Sequence, residues 1–173
     1  GTDFKKEDLA RSDFAAYGYK QGVPMGGDLS KLTSAPKLLI RALRDPDGAN
    51  LDRVQVIKGW VDGAGNTQER VYDVVCAGGR RIVDGKCDSA IGNTVDVASA
   101  TYTNTIGAPF LETFWQDAEF NPAFRAFYYV RVLEIPTPRW TTYDAAFFGI
   151  DRPDFVEPTQ QERAYTSPIW YTP

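Results

Sequence analysis

Two runs of alternating apolar and polar residues, Arg53 to Val61 and Glu69 to Cys76, flank the loop Asp62-Gly63-Ala64-Gly65-Asn66. No other feature restricts the fold as tightly. Period-two alternation sends successive side chains to opposite faces, so each run reads as a half-buried strand. Val54, Val56 and the stem of Lys58 share one face, with Arg53, Gln55 and Ile57 on the other. Across the loop, Val71 and Val75 oppose Tyr72, Val74 and Cys76. An Asp-Gly start with a second glycine is hairpin chemistry. The two runs are predicted to pair as antiparallel neighbours, and such a pair needs a second layer over its apolar face.

The rest of the chain supplies that layer. Lys37 to Arg44 is a short apolar run that ends at the turn Asp45-Pro46-Asp47-Gly48. Thr94 to Thr103, rich in Thr and Val, suits a strand, as does Pro109 to Trp115, although Leu111, Phe114 and Trp115 also fit one helical face. Ala126 to Ile135, dense in β-branched and aromatic residues, reads as the central strand, and Pro136 and Pro138 stop it. Thr142 to Phe148 fits a short helix before Gly149, and Asp151 to Pro158 is irregular. Arg163 to Tyr171 closes the domain as a strand broken by Pro168, which implies an edge or a bulge. About seven short strands without βαβ alternation predict an antiparallel β-sandwich, immunoglobulin-like in general architecture, over residues 37–173. Residues 1–36 read as an N-terminal arm with short helical turns, where Leu9, Phe14, Ala15, Tyr17 and Tyr19 lie among charges. Gly22-Val23-Pro24-Met25-Gly26-Gly27-Asp28 then ends any helix.

The chain of 173 residues contains no histidine. Histidine is the usual general base near neutral pH and the commonest zinc ligand, so Ser-His-Asp, Cys-His and ordinary zinc chemistry are excluded. A hydrophobic content of 43% is ample for a core. With 19 basic residues scattered among 23 acidic ones and a net charge of −4, a nucleic-acid partner is not expected. No stretch is long and apolar enough to span a bilayer. Gly1 in place of an initiator Met, without a charged-then-apolar leader, reads as the start of a piece of a longer protein.

Cys76 and Cys87 bracket AGGRRIVDGK, whose three glycines and Asp-Gly pair can turn back and bring the sulfurs together. A disulfide there would stabilise by roughly 2–3 kcal/mol in the chain-entropy model. The alternative is two separate buried thiols. Asp45, Asp47, Asn50 and Asp52 resemble oxygen ligands but lack the spacing of a calcium loop, so turn chemistry explains them and no metal is assigned. Asp84, Asp88 and Asp96 read as solvated loop carboxylates. Glu112, Glu134 and Asp144 cannot be paired into a glycosidase dyad from sequence. Burial near the end of an apolar strand would raise the Glu134 pKa, but a bridge to Arg131 or Arg139 is the expected arrangement. Gly26-Gly27-Asp28 lacks the ending of a phosphate loop. No catalytic residue and no cofactor are assigned. Trp140, Tyr165, Trp170 and Tyr171 would stack against sugar rings if they shared one exposed face, and otherwise pack in the core or against another domain.

RALRDPDGANLDRVQVIKGWVD from Arg41, TNTIGAP from Thr103, AFYYVRVLEIPTPRWTTYDA from Ala126 and ERAYTSPIWYTP from Glu162 carry a family resemblance. They resemble the C-terminal part of a bacterial, often exported family of unassigned function. The N-terminal part of that family resembles PHP-type (polymerase and histidinol phosphatase) metallohydrolases. The resemblance implies a non-catalytic accessory domain of a larger metal-dependent hydrolase, in a periplasmic or extracellular setting that suits a disulfide. The implied partner is the N-terminal domain of the same protein, with Met25, Arg139 and Trp140 as candidate contacts. The alternative function is a carbohydrate-binding module that uses Tyr165, Trp170 and Tyr171, its partner being a glycan or other small molecule.

Overall fold

The computed structural model describes residues 1–173 and is mostly β. A short 3-10 turn (Lys6–Ala10) and helix α1 (Phe14–Gln21) precede the strands. In chain order these are β1 (Asp28–Ser30), β2 (Lys37–Leu43), β3 (Leu51–Val61), β4 (Thr67–Cys76), β5 (Ile82–Val83) and β6 (Lys86–Cys87). Then follow β7 (Phe110–Gln116), β8 (Ala126–Glu134), β9 (Thr137–Pro138), β10 (Thr159–Gln160), β11 (Arg163–Tyr165) and β12 (Ile169–Thr172). Helix α2 (Trp140–Phe148) lies between β9 and β10.

β3 and β4 form the predicted hairpin, Val61 opposite Thr67 at the turn end. Asp62 builds the turn, its carboxylate accepting the backbone N–H of Ala64 and of Asn66, each at 2.9 Å. The main sheet runs β1-β12-β8-β3-β4, and β11 lies along the same edge of β8 as β12. Pro168 separates these two short strands. Thr166 spans the break, its N–H reaching the Val130 carbonyl and its hydroxyl accepting from the Val130 N–H. β1 adds a parallel edge strand, so part of the segment read as an arm belongs to the sheet, with Leu29 in the core.

β2 and β7 pair as a separate two-stranded ribbon over one face of this sheet. Leu38, Ile40 and Leu111 from the ribbon meet Val54, Val56, Val74, Tyr128 and Tyr171 from the sheet. The sandwich is therefore lopsided, with six strands against two. The opposite face of the large sheet has no second sheet upon it.

Thr94 to Thr103 does not form the predicted strand. Asp96 folds it into a turn by accepting the Ala98 N–H, Ala100 takes φ +51°, and a single bridge joins Asp96 to Thr101. The short polar side chain offers the backbone a local partner that competes with a ladder.

Candidate functional site

α2 starts after Arg139 and stops at Gly149, whose left-handed φ of +64° lets its N–H return to the Ala145 carbonyl. Only Thr142 is buried. Its hydroxyl donates to the Pro158 carbonyl at 2.7 Å and anchors the first turn. The remainder stands away from the sheet with its aromatic side chains in solvent. Trp140, Tyr143, Phe148 and Ile150 are exposed, Phe147 is 83% exposed, and Phe155 in the following loop is 91% exposed. Phe147 and Phe148 pack edge-to-face at 4.9 Å against each other and nothing larger. Beside them the Thr141 hydroxyl is buried without a hydrogen-bond partner. Large apolar side chains concentrated on one short helix and the loop after it are uncommon on a free surface.

The expected contacts divide around this helix. Trp140 is on the exposed face, while Arg139 is half-buried as the residue before the helix. Met25 is exposed elsewhere, in the turn where the Gly26 N–H meets the Pro168 carbonyl.

The aromatic residues expected to stack on sugars are split by strand alternation. Tyr165 and Trp170 lie on the uncovered sheet face and are 56% and 49% exposed. Tyr171 points the other way and is 2% exposed, its hydroxyl donating to the Pro122 carbonyl and its ring edge-on to Phe120. It is a core residue because its neighbour Trp170 is an outer one.

Cys76 and Cys87 are bonded, 6.0 Å apart at Cα. The bridge ties β4 to the β5–β6 hairpin, where Asp73 accepts the Cys87 N–H at 2.8 Å. Asp73 and both sulfurs lie close enough to suggest metal ligation, but sulfurs engaged in a disulfide are not thiolate ligands.

The Asp45-to-Asp52 cluster does not converge. Asp45 caps its own turn through the Asp47 N–H, and Asn50 donates to the carbonyls of Asn104 and Ile106. Asp52 is fully buried among Arg53, Arg80 and Gln161. Asp88 pairs with Arg81, and Asp96 serves its turn. Glu112 is bridged to Arg41 at 3.1 Å, and Asp144 is exposed on α2.

Glu134 forms no bridge to Arg131 or Arg139. Three positions along a strand place Arg131 on the opposite face, where it donates to Gln55. Burial first, then the nearby charges of Glu162 and Asp45, raise the Glu134 carboxyl above the ordinary glutamate range. A carboxyl raised on folding favours the native state below the unfolded value of about 4.3, and that advantage fades as pH rises through the folded value. Glu134→Gln should therefore increase stability at pH 7, with the gain vanishing near pH 4. Urea melts of both proteins at the two pH values would check this, and a loss at pH 7 would show that the carboxylate has a favourable partner.

One apolar cavity of about 330 Å³ lies between the N-terminal segment and the sheet, lined by residues such as Phe4, Phe14, Met25, Ile40 and Val132. Of its two charged neighbours, Arg41 is already held by Glu112 and the Leu9 carbonyl, and Lys37 is the other.

A family model described as protein of unknown function (DUF3604) matches residues 1–173. No curated protein and no solved structure matches the chain.

Proposed function

We propose that this chain, which belongs to the DUF3604 family of proteins of unknown function, is a non-catalytic accessory domain that docks through α2 on a neighbouring domain. The observation that carries this reading is the run of exposed aromatic side chains from Trp140 to Phe155. A helix anchored only at its first turn has little reason to hold this face in water unless another surface covers it.

The neighbour we propose is a metal-dependent hydrolase domain of the same protein, the arrangement implied by the sequence resemblance. A chain without histidine leaves metal chemistry to such a partner. The carboxylates offered here are capped, bridged or dispersed, which supports a supporting role over catalysis. Export is part of the proposal, because a disulfide persists in oxidising compartments. No helix is long and apolar enough to cross a membrane.

Hydrogen exchange followed by mass spectrometry tests the docking. Amides from Trp140 to Phe148 should exchange at least about tenfold more slowly in the full-length protein than in the isolated chain. Equal rates in the two would remove α2 as the interface.

A further inference from the structure

Beyond the docking role, and on a different face, we propose that the uncovered side of the six-stranded sheet binds an acidic glycan, a chain of sugar rings that carries carboxylate or sulfate groups. Four aromatic rings form a continuous row there, in the order Trp170, Phe127, Tyr129 and Tyr165. Successive centroids lie 5.4, 6.3 and 6.2 Å apart. The register explains the row. Trp170 is opposite Phe127, Tyr165 is opposite Arg131, and Phe127, Tyr129 and Arg131 share the outer face of β8, whereas Leu133 at the same parity is buried. Gly59 on β3 makes room for it, since a Cβ at that position would lie 2.3 Å from the Phe127 ring. Packing over a glycine accounts for Phe127 by itself. It does not account for Trp170 and Tyr165, which leave about half their surface in water.

Two arginines give the row its chemical preference. Arg131 and Arg163 share this face beside Tyr165, and neither forms a salt bridge. Hydrogen bonding from Arg163 first, then from Arg131, with the charge of both behind it, draws the Tyr165 phenol below its ordinary value. Arg131 is held in place from the side, by its register neighbours across β3 and β4. The Cys87 N–H donates to Asp73, Asp73 accepts from Gln55 at 2.6 Å, and Gln55 accepts from the Arg131 Nε at 2.7 Å. The Nε of the guanidinium is thus fixed, and its other nitrogens are turned toward Tyr165 on the same face. A planar, pre-oriented fork suits a carboxylate or sulfate better than a neutral hydroxyl. The flat faces of the rings suit the C–H faces of a sugar, with a phenol or indole N–H at the edge for its hydroxyls.

The ring planes also bear on which glycan fits. Phe127 and Tyr129 are nearly parallel, at 15°, but Trp170 and Tyr165 tilt from them by 59° and 41°. They follow the twist of the sheet and present a curved track, not a flat plane. A single soluble chain can follow that track, and a crystalline polysaccharide surface cannot.

The test uses the full-length protein in native affinity gels cast with polygalacturonate, chondroitin sulfate or neutral dextran. Retardation by at least one of the two acidic polymers, and none by dextran, is expected. The polymer that retards also distinguishes carboxylate from sulfate. Trp170→Ala should weaken binding by about tenfold or more, and Arg131→Gln with Arg163→Gln should abolish the preference for acidic chains. Added salt should weaken binding by the wild type. Phe147→Ser on α2 should leave the affinity unchanged, which separates this site from the docking face. Three results would overturn the proposal. They are no retardation by either acidic polymer, binding that ignores Trp170, or protection of Trp170 and Tyr165 from hydroxyl-radical oxidation in the glycan-free protein, which would mean that protein already covers the face.

Discussion

Asp52→Ala is expected to lower the unfolding free energy by about 3–5 kcal/mol, the cost of leaving buried positive charge unpaired. Asp52 sits where β3 bulges against β8, the register stepping from Leu51–Glu134 to Arg53–Leu133. The extra residue turns its side chain inward, as bulges do. Its carboxylate, fully buried, meets Arg80 on one oxygen and Arg53 and Gln161 on the other. Arg80 also donates to the carbonyls of Asp52, Ala77 and Ser89, and Gln161 to that of Glu134. One side chain thereby ties the central hairpin to the disulfide loop and to the segment that leads into β11. Alanine leaves the Arg80 guanidinium, 8% exposed, with carbonyls but no anion. In a thermal melt the loss should reach roughly 10 °C or more for a domain of this size. Asp52→Asn retains an acceptor and should fall between alanine and wild type. A loss under about 1 kcal/mol would mean that both arginines rehydrate freely and that the network is not closed.

The same network sets how much of the molecule can be read from its sequence. The β3–β4 hairpin and the break at Pro168 follow from local rules, alternation around an Asp-Gly loop and a residue that cannot donate to a ladder. The Cys76–Cys87 pairing follows from a loop able to close. Asp52 is different. In sequence it belongs with Asp45 and Asp47 as turn chemistry, and only the bulge, a product of strand pairing, sends it inward. Trp170 and Tyr171 are adjacent aromatics with opposite fates, because a step of one residue along a strand changes the face. Phe127 and Tyr129 escaped notice because Ala126 to Ile135 reads as buried on both sides. The signal that could have found them is Arg131, a charged residue inside an apolar run at the same parity. Their alignment with Trp170 and Tyr165 still depends on register, which no local pattern encodes.

The second large effect lies under the ribbon, at Asp117. Lys58 Nζ is 2.7 Å from the Asp117 carboxylate and donates to the Glu119 carbonyl at 2.9 Å. The Tyr128 hydroxyl donates to the same carboxylate oxygen at 2.7 Å, and burial followed by Asp117 raises that phenol well above its ordinary range, so it stays a neutral donor. The other oxygen accepts the Glu119 N–H at 3.0 Å. Lys58 and Asp117 are only 5% and 1% exposed. Asp117→Ala should therefore cost about 3–5 kcal/mol, because a buried ammonium loses its counter-charge and a buried phenol its acceptor. Tyr128→Phe, which removes one hydrogen bond to a charged group, should cost about 1.5–3 kcal/mol. The decisive comparison is the double variant Lys58→Met with Asp117→Leu. Removing both charges abolishes their desolvation cost, so the double variant should recover part of the loss of Asp117→Ala. The Tyr128 hydroxyl left without its acceptor should keep it about 1–3 kcal/mol below the wild type. That result would make the pair a choice of register for β3 against β7 and β8, not a source of net stability. If the double variant is as unstable as Asp117→Ala, the pair itself holds the ribbon on the sheet through the Glu119 and Tyr128 contacts, and the apolar packing around it is insufficient alone.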